Sequence, residues 1–424
     1  MKPTLHTLKN GMRAILVPQT GAPSMTIMVF VKVGSRYETR EVNGASHFVE
    51  HLMFKGTKRR PATLDISRAL DRYGAEYNAF TSKDLTAYYI KMDAQHTELA
   101  VDLLHDMLFH SKFDAKEIDR ERGVIIEEIN MYEDNPRMHI EDLLEETLYP
   151  DSTLGWNIAG PRSTIREVSR DALKDYHDRY YIPSRMTIAV AGKVKPGLLG
   201  LLEKSFGKVK EPTQPADVSF GRFLPPAKLV RPVAFQKKQT EQVQLGLAFH
   251  GFGYGDPRNE AASLLSLILG GTMSSRLFVQ VRERRGLCYS ISASHQSYED
   301  TGVFSVMSGL EKNRVGEAVK LIRSELMKTT KELVTAEELR EAKDYLRGKT
   351  ALAFEDSSHQ ADWYGKQWVF QHKLESPEAR LKRYEKVTAA SVRSAARELF
   401  RTPAMAASVI GPFASSEQVE RWFR

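Results

Sequence analysis

The chain has 424 residues, 42% hydrophobic and 27% charged, the balance of a globular protein with a sizeable core and room for two or three domains. Its formal charge of +7 comes from 61 basic and 54 acidic residues that are interspersed, and the densest basic runs, 55–60 and 282–285, are short and lack interleaved aromatics, so no nucleic-acid partner is expected. The lone cysteine, Cys288, excludes an internal disulfide and a thiolate zinc cluster, so a metal site would use His and carboxylates and Cys288 should pack as a small apolar residue.

The N-terminal run Met1-Lys-Pro-Thr-Leu-His-Thr-Leu8 has no apolar core of the signal-peptide kind and no Arg/Ser-rich amphipathic leader. The most apolar segment, Met25-Thr-Ile-Met-Val-Phe-Val-Lys32, is far shorter than the ~20 residues of a membrane span and predicts a strand over 26–33. A cytoplasmic protein with no membrane contact is therefore expected.

The next segment, Ser46-His-Phe-Val-Glu-His-Leu-Met53, sets His47 and His51 four residues apart. In a helix both imidazoles share a face and can ligate one metal ion, while Glu50 stands beside the open coordination position. The order His-x-x-Glu-His mirrors His-Glu-x-x-His. Asn43 is the expected N-cap and Gly56 the expected residue after the C-terminus, with Phe48, Val49, Leu52 and Met53 as apolar packing. A helix over 64–73, a strand pair over 75–81 and 86–92, amphipathic helices over 96–108 and 114–134 and a strand over 186–192 complete the first half.

A catalytic zinc normally holds three protein ligands, so two histidines require a carboxylate from elsewhere. The run Glu117-Ile-Asp-Arg-Glu-Arg-Gly-Val-Ile-Ile-Glu-Glu-Ile-Asn130 offers Glu127 and Glu128. Helical neighbours favour Glu128, which shares its stripe with Val124, Ile125, Tyr132 and Glu121. Glu121 would then orient a ligand imidazole through its other N–H. With His47, His51 and Glu128 on one Zn2+, Glu50 would take a proton from the acidified water and return it to the leaving amine of a peptide.

Residues 208–232 carry Pro212, Pro215, Pro225, Pro226 and Pro232 and read as a linker, dividing the chain into domains at 1–209 and 233–424 joined by 210–232. The second half repeats the order of the first. A strand is predicted over 243–250 and helices over 259–269 and 273–285; Arg284-Arg-Gly-Leu-Cys-Tyr289 echoes Arg72-Tyr-Gly-Ala-Glu-Tyr77, and 403–411 echoes 183–192. The expected fold class is α+β, with two homologous domains, each an antiparallel-rich mixed sheet with helices packed on one face. Setting Asn259 on Asn43 places Ser263, Ser266 and Leu267 opposite His47, Glu50 and His51, so the helix itself does not need the metal-binding residues.

Four segments in this order resemble the inverted zincins of the pitrilysin and insulysin type, and among them the short processing-peptidase-like members. They are Gly44-Ala-Ser-His-Phe-Val-Glu-His-Leu-Met-Phe-Lys-Gly56, Gly74-Ala-Glu-Tyr-Asn-Ala-Phe-Thr81, Glu121-Arg-Gly-Val-Ile-Ile-Glu-Glu128 and Ser275-Arg-Leu-Phe-Val-Gln-Val-Arg-Glu-Arg-Arg-Gly-Leu-Cys-Tyr289. The resemblance implies a zinc endopeptidase whose last ligand follows the second His after 76 residues, which falls on Glu128. It also implies that Asn78 and Ala79 lie on an edge strand to which an extended peptide adds, and that Arg282 and Tyr289 contact the substrate backbone and steady the oxyanion. Short members close a chamber by dimerising. Because this chain carries both residue sets, the implied assembly is a homodimer, with a related chain as the alternative partner, and the substrates are peptides or unfolded segments. The competing readings, an assembly subunit without chemistry and a structural zinc, account less well for an intact His47, Glu50, His51 and Glu128 set.

Overall fold

The computed structural model describes residues 2–213 and 220–424; the part of the expected linker at 214–219, including Pro215, lies outside the described residues, and 220–232 carry no helix or strand. Two sheets hold the strands. The first joins β1 (Thr4–Thr7), β2 (Arg13–Pro18), β3 (Ser24–Val31), β4 (Glu76–Thr81), β5 (Thr86–Asp93) and β6 (Met186–Gly192) in the order β1-β2-β6-β3-β5-β4. The second joins β7 (Val233–Lys237), β8 (Gln242–Gly251), β9 (Cys288–Ser297), β10 (Gly302–Glu311) and β11 (Ala406–Gly411) in the order β7-β11-β8-β10-β9. In each sheet one pair is parallel, β2 with β6 and β7 with β11, and the others are antiparallel. Without β1 the two strand orders are the same, so the repeat in the sequence is a repeat in topology.

The first-half helices fall where the periodicity puts them: α1 (Ala45–Leu52), α2 (Thr63–Asp71), α3 (Thr97–His110) and α4 (Ala115–Asp134), followed by α5 (Pro136–Leu148). In the second half the expectation of one helix over 273–285 is corrected. Residues 272–275 form a bend, Met273 is 73% exposed, and wide helical turns occupy Phe278–Glu283. Gly270, which leaves helical geometry at φ −157° and ψ 20° and lies so close to β9 that a Cβ there would sit 2.4 Å from Ala293 N, ends the preceding helical stretch, and the next one starts at Arg276. Cys288 is buried, as expected.

β3 is apolar at almost every position because both of its faces are covered. Ile27, Val29 and Val31 join Phe48, Val49 and Leu52 of α1 in one core, while Met28 and Phe30 join Ile15, Ala189, Ala361 and Tyr364 in another. Ala361 and Tyr364 belong to the helix Ser357–Gln371, from the far end of the chain. It is tied down by Ser357 Oγ, 2.8 Å from Thr26 Oγ1, and by Lys91 Nζ, which donates to Asp356 Oδ2 at 2.7 Å. The converse holds in the second sheet, where α5 lays Leu144 and Leu148 against Ala248 and Ala406. Each sheet thus carries helices of its own half on one face and a single helix of the other half on the opposite face.

The compact units therefore do not follow the division at 1–209 and 233–424. One consists of Met1–Ile129, Asn157–Phe220 and Thr350–Ser376, the other of Asn130–Trp156, Gly221–Lys349 and Pro377–Arg424. The reason is the apolar second face of each sheet, which must be buried and which the other half's helix covers. Among the described residues no helix is long and apolar enough to cross a membrane.

Gly365, inside the helix Ser357–Gln371, shows how close this packing is: a Cβ would lie 2.0 Å from Cε2 of the fully buried Phe30. Glycine to alanine within a helix ordinarily stabilises by about 1 kcal/mol, whereas overpacking a core costs about 1–3 kcal/mol. The Gly365→Ala chain is expected to melt below the parent by circular dichroism; an equal or higher melting temperature would show that this helix stands clear of β3.

Candidate active site

α1 starts at Gly44, not at the expected cap Asn43. Gly44 takes a left-handed φ of 100°, and a Cβ there would lie 2.5 Å from Ala159 O. Asn43 instead donates its Nδ2 to Glu38 Oε2 at 2.9 Å, and the same carboxylate accepts the N–H groups of Gly44 at 2.8 Å and Ser46 at 2.7 Å. The free N–H groups at the helix start are thus met by a buried anion, where the helix dipole favours one. Burial pushes the Glu38 carboxyl up, against these hydrogen bonds. Gly56 does not end the helix either: α1 stops at Leu52, and Gly56, at φ 102°, turns the chain further on.

With Phe48, Val49 and Leu52 in the core, His47, Glu50 and His51 face the other way. His47 Nε2 and His51 Nε2 are 3.3 Å apart, and Glu128 Oε2 of α4 is 3.5 Å from each. Zinc bonds to such donors are about 2.0–2.1 Å long, and the edge of a tetrahedron with arms of that length is about 3.3–3.4 Å. The three donors therefore already stand at the spacing the ion requires, and among the described residues no other His, Cys, Asp and Glu group does so.

On α4 the buried stripe is Ile118, Glu121, Ile125 and Ile129, with Glu128 half-buried beside it and Glu127 exposed. Glu128 is the carboxylate that meets the histidines, although Val124 and Tyr132, expected on the same stripe, are exposed. Glu121 Oε2 accepts from His51 Nδ1 at 3.0 Å, which leaves Nε2 free to ligate, and its Oε1 pairs with Lys55 Nζ at 2.8 Å. Glu50 Oε2 accepts the hydroxyl of Thr81, at the end of β4.

Positive charge on one of two imidazoles this close disfavours it on the other. Burial lowers His47 to about 4, with the charge on His51 adding to the effect and Glu128 opposing it. Burial acts on His51 in the same sense, but the hydrogen bonds to Glu121 and Glu128 and the charge of Glu50 outweigh it and raise His51 to about 9. Burial likewise raises Glu121, but His51 and Lys55 hold it below the ordinary carboxylate range. The His51 hydrogen bond lowers Glu128, and burial raises Glu50 despite Thr81. His47 Nδ1 is buried with no hydrogen-bond partner among the described residues.

The remaining expected residues lie as follows. β4 is the last strand of its sheet; Asn78 on it is exposed, and its Oδ1 accepts the Ala79 N–H at 2.9 Å. Arg282 and Tyr289 belong to the other unit, where the guanidinium lies 5.3 Å from the ring of Tyr289, itself 69% exposed. Ser263 and Ser266 fall in the helix Asn259–Ser266, and the Ser266 hydroxyl donates back to Ser263 O. Sequence reasoning missed Glu38, Lys55 and Thr81. Only Lys55 is near the motif in the chain; nothing linear links Thr81 to Glu50.

Paired α+β repeats, of which the first carries an inward His, His and Glu set, define the class: a fold of the zinc-metallopeptidase kind with one chemically equipped copy. Residues 13–162 match the family model described as Insulinase (Peptidase family M16), and residues 167–346 match the model described as the Peptidase M16 inactive domain. The chain belongs to the M16 peptidase family. It is 36% identical over 407 residues to a protein of Bacillus subtilis named an uncharacterized zinc protease, covering 96% of this chain and 98% of that one. A similarly named protein of Streptomyces coelicolor is 36% identical over 413 residues, covering 96% of this chain and 89% of the relative. In fold, the chain matches the crystal structure of a protease from Helicobacter pylori with a TM-score of 0.88 at 24% identity, over 97% of this chain and 99% of that one. These names and the donor set support a zinc metallopeptidase, and the second match agrees with a second half that lacks ligands at Ser263, Ser266 and Leu267.

Zinc binds neutral imidazole, so uptake must displace the proton that His51, raised to about 9, carries at neutral pH. Titration calorimetry of the metal-free chain at pH 7, in buffers of different ionisation enthalpy, should show release of about one proton per zinc. Apparent affinity should climb by about tenfold per pH unit towards pH 9 and then level, because the competing proton is lost there. Release near zero at pH 7 would contradict this charge state.

Proposed function

We propose that the protein is a zinc-dependent endopeptidase that cuts peptides or unfolded segments, with Glu50 as the proton-transferring residue, and that it works as a pair of chains in the cytoplasm. The reading rests chiefly on one observation: three donors spaced at 3.3–3.5 Å with a half-buried glutamate from the same helix turn beside them. A zinc ion held by His47, His51 and Glu128 would supply a Lewis acid and an acidified water.

The side chains do the rest. Glu50, its carboxyl raised by burial, accepts a proton from the attacking water and passes it to the leaving amine. Glu121, braced by Lys55, fixes the ring of His51. The end strand β4 offers Asn78 and Ala79 to an extended peptide, and backbone pairing of that kind leaves sequence preference loose. Arg282 and Tyr289 donate to the substrate backbone and the oxyanion. The resemblance to short processing-peptidase-like proteins favours a homodimer chamber in which each zinc half uses the partner's Arg282 and Tyr289; a related chain in the partner's place is the second arrangement.

The Glu50→Gln variant should keep one zinc per chain and lose about 10²–10⁴ in peptide hydrolysis; full activity in that variant would end the assignment. Chelation should abolish cleavage of an unstructured peptide, which neither a structural zinc nor an assembly subunit predicts.

The shared site has its own test. Glu50→Gln and Arg282→Ala chains, each inactive alone, should regain about a quarter of parental activity when mixed and reassembled, since half the pairs are mixed and each holds one intact site. No recovery, or a fully active monomer in light scattering, would refute the shared chamber.

A further inference from the structure

Glu50 and His51 are adjacent in α1 but are held by different elements. His51 is held by Glu121 of α4, whereas Glu50 is held by Thr81, the last residue of β4, whose hydroxyl donates to Glu50 Oε2 at 2.5 Å. The carboxylate has no other hydrogen-bond partner among the described residues. Thr81 Oγ1 also lies 3.4 Å from Oγ1 of Thr86, the fully buried first residue of β5, which donates to Val33 O at 2.9 Å. A β-branched residue in a strand has few χ1 choices, so the backbone of β4 sets the direction of this hydroxyl. Thr81 and Ala79 are two residues apart and share one face of the strand.

Given the peptidase reading above, we propose that Thr81 is a positioning residue that registers the proton-transferring carboxylate to the strand that receives the peptide. Its hydroxyl occupies Glu50 Oε2 and keeps its own proton, which leaves Oε1 to exchange protons with the attacking water and the leaving amine. A peptide adding to β4 at Asn78 and Ala79 is thereby placed by the same backbone that aims the base. A displacement of β4 would then misplace substrate and base together, not one against the other. The contact is polar and directional, so removing the hydroxyl frees the carboxylate without touching the zinc donors.

The test uses the zinc-loaded full chain and an unstructured fluorogenic peptide. Thr81→Val keeps the β-branch and removes the donor; it should lower kcat by about 10- to 100-fold with KM within about twofold, at unchanged zinc content and melting temperature. Thr81→Ser should recover most of kcat. Adding Thr81→Val to Glu50→Gln should cost nothing further, because the two residues act as one unit. A crystal structure of Thr81→Val should show the Glu50 carboxylate turned away from β4 with His47, His51 and Glu128 in place. Parental kcat in Thr81→Val, an equal loss in the Glu50→Gln background, or an unmoved Glu50 would overturn the proposal while leaving the peptidase reading intact; no cleavage by the parent would overturn both.

Discussion

Two imidazole nitrogens 3.3 Å apart with a carboxylate oxygen 3.5 Å from each form an arrangement that a free chain would not hold, because the rings repel when both are protonated and lose hydration when both are neutral. The elements around α1 serve to maintain it. Glu38 fixes where the helix begins, the buried Phe48, Val49 and Leu52 fix its rotation, and Glu121 with Lys55 fixes the ring of His51. The opposed displacements of His47 and His51 record the same constraint electrically: His51 takes up the positive charge and His47 stays neutral beside it.

The scaffold meets a second constraint, the burial of both faces of two sheets. A strand such as β3, apolar on both sides, must be covered twice. The helices of its own half cover one face, and the helix Ser357–Gln371 covers the other, while α5 does the same for β8 and β11. This exchange ties the two repeats into units that interleave along the chain, and it places α4, which carries Glu121 and Glu128, at a point where the chain passes from one unit to the other.

The legible parts of the protein are those governed by local periodicity. The helical repeat put His47 and His51 on one face and chose Glu128 over Glu127; of the stripe it assigned to Glu128, Glu121 and Ile125 are buried, whereas Val124 and Tyr132 are exposed. The same reasoning erred at the ends of elements. Asn43 has the right chemistry for a cap, but Glu38 takes that role from outside the helix and Asn43 serves Glu38. The helix expected over 273–285 is shorter at both ends, its helical turns running only from Arg276 to Glu283 after a bend and turn over 272–275. The strands β1, β2, β7, β9 and β10 were not expected; β1 and β9 lie at sheet ends with many polar residues turned outward, so their alternation is weak.

The sequence by itself determined the kind of metal-donor set, because donor types and a 3.6-residue period are properties of a short segment and survive in any fold that makes that segment a helix. It determined the two-fold repeat for a similar reason, since strand and helix order is written linearly. Only the tertiary structure decided that Thr81 meets Glu50, that Glu38 caps α1, and that each sheet takes its second cover from the other half. Those contacts join residues whose separation in the chain follows no period, and they are selected by which buried polar groups find partners and which apolar faces can be covered at once.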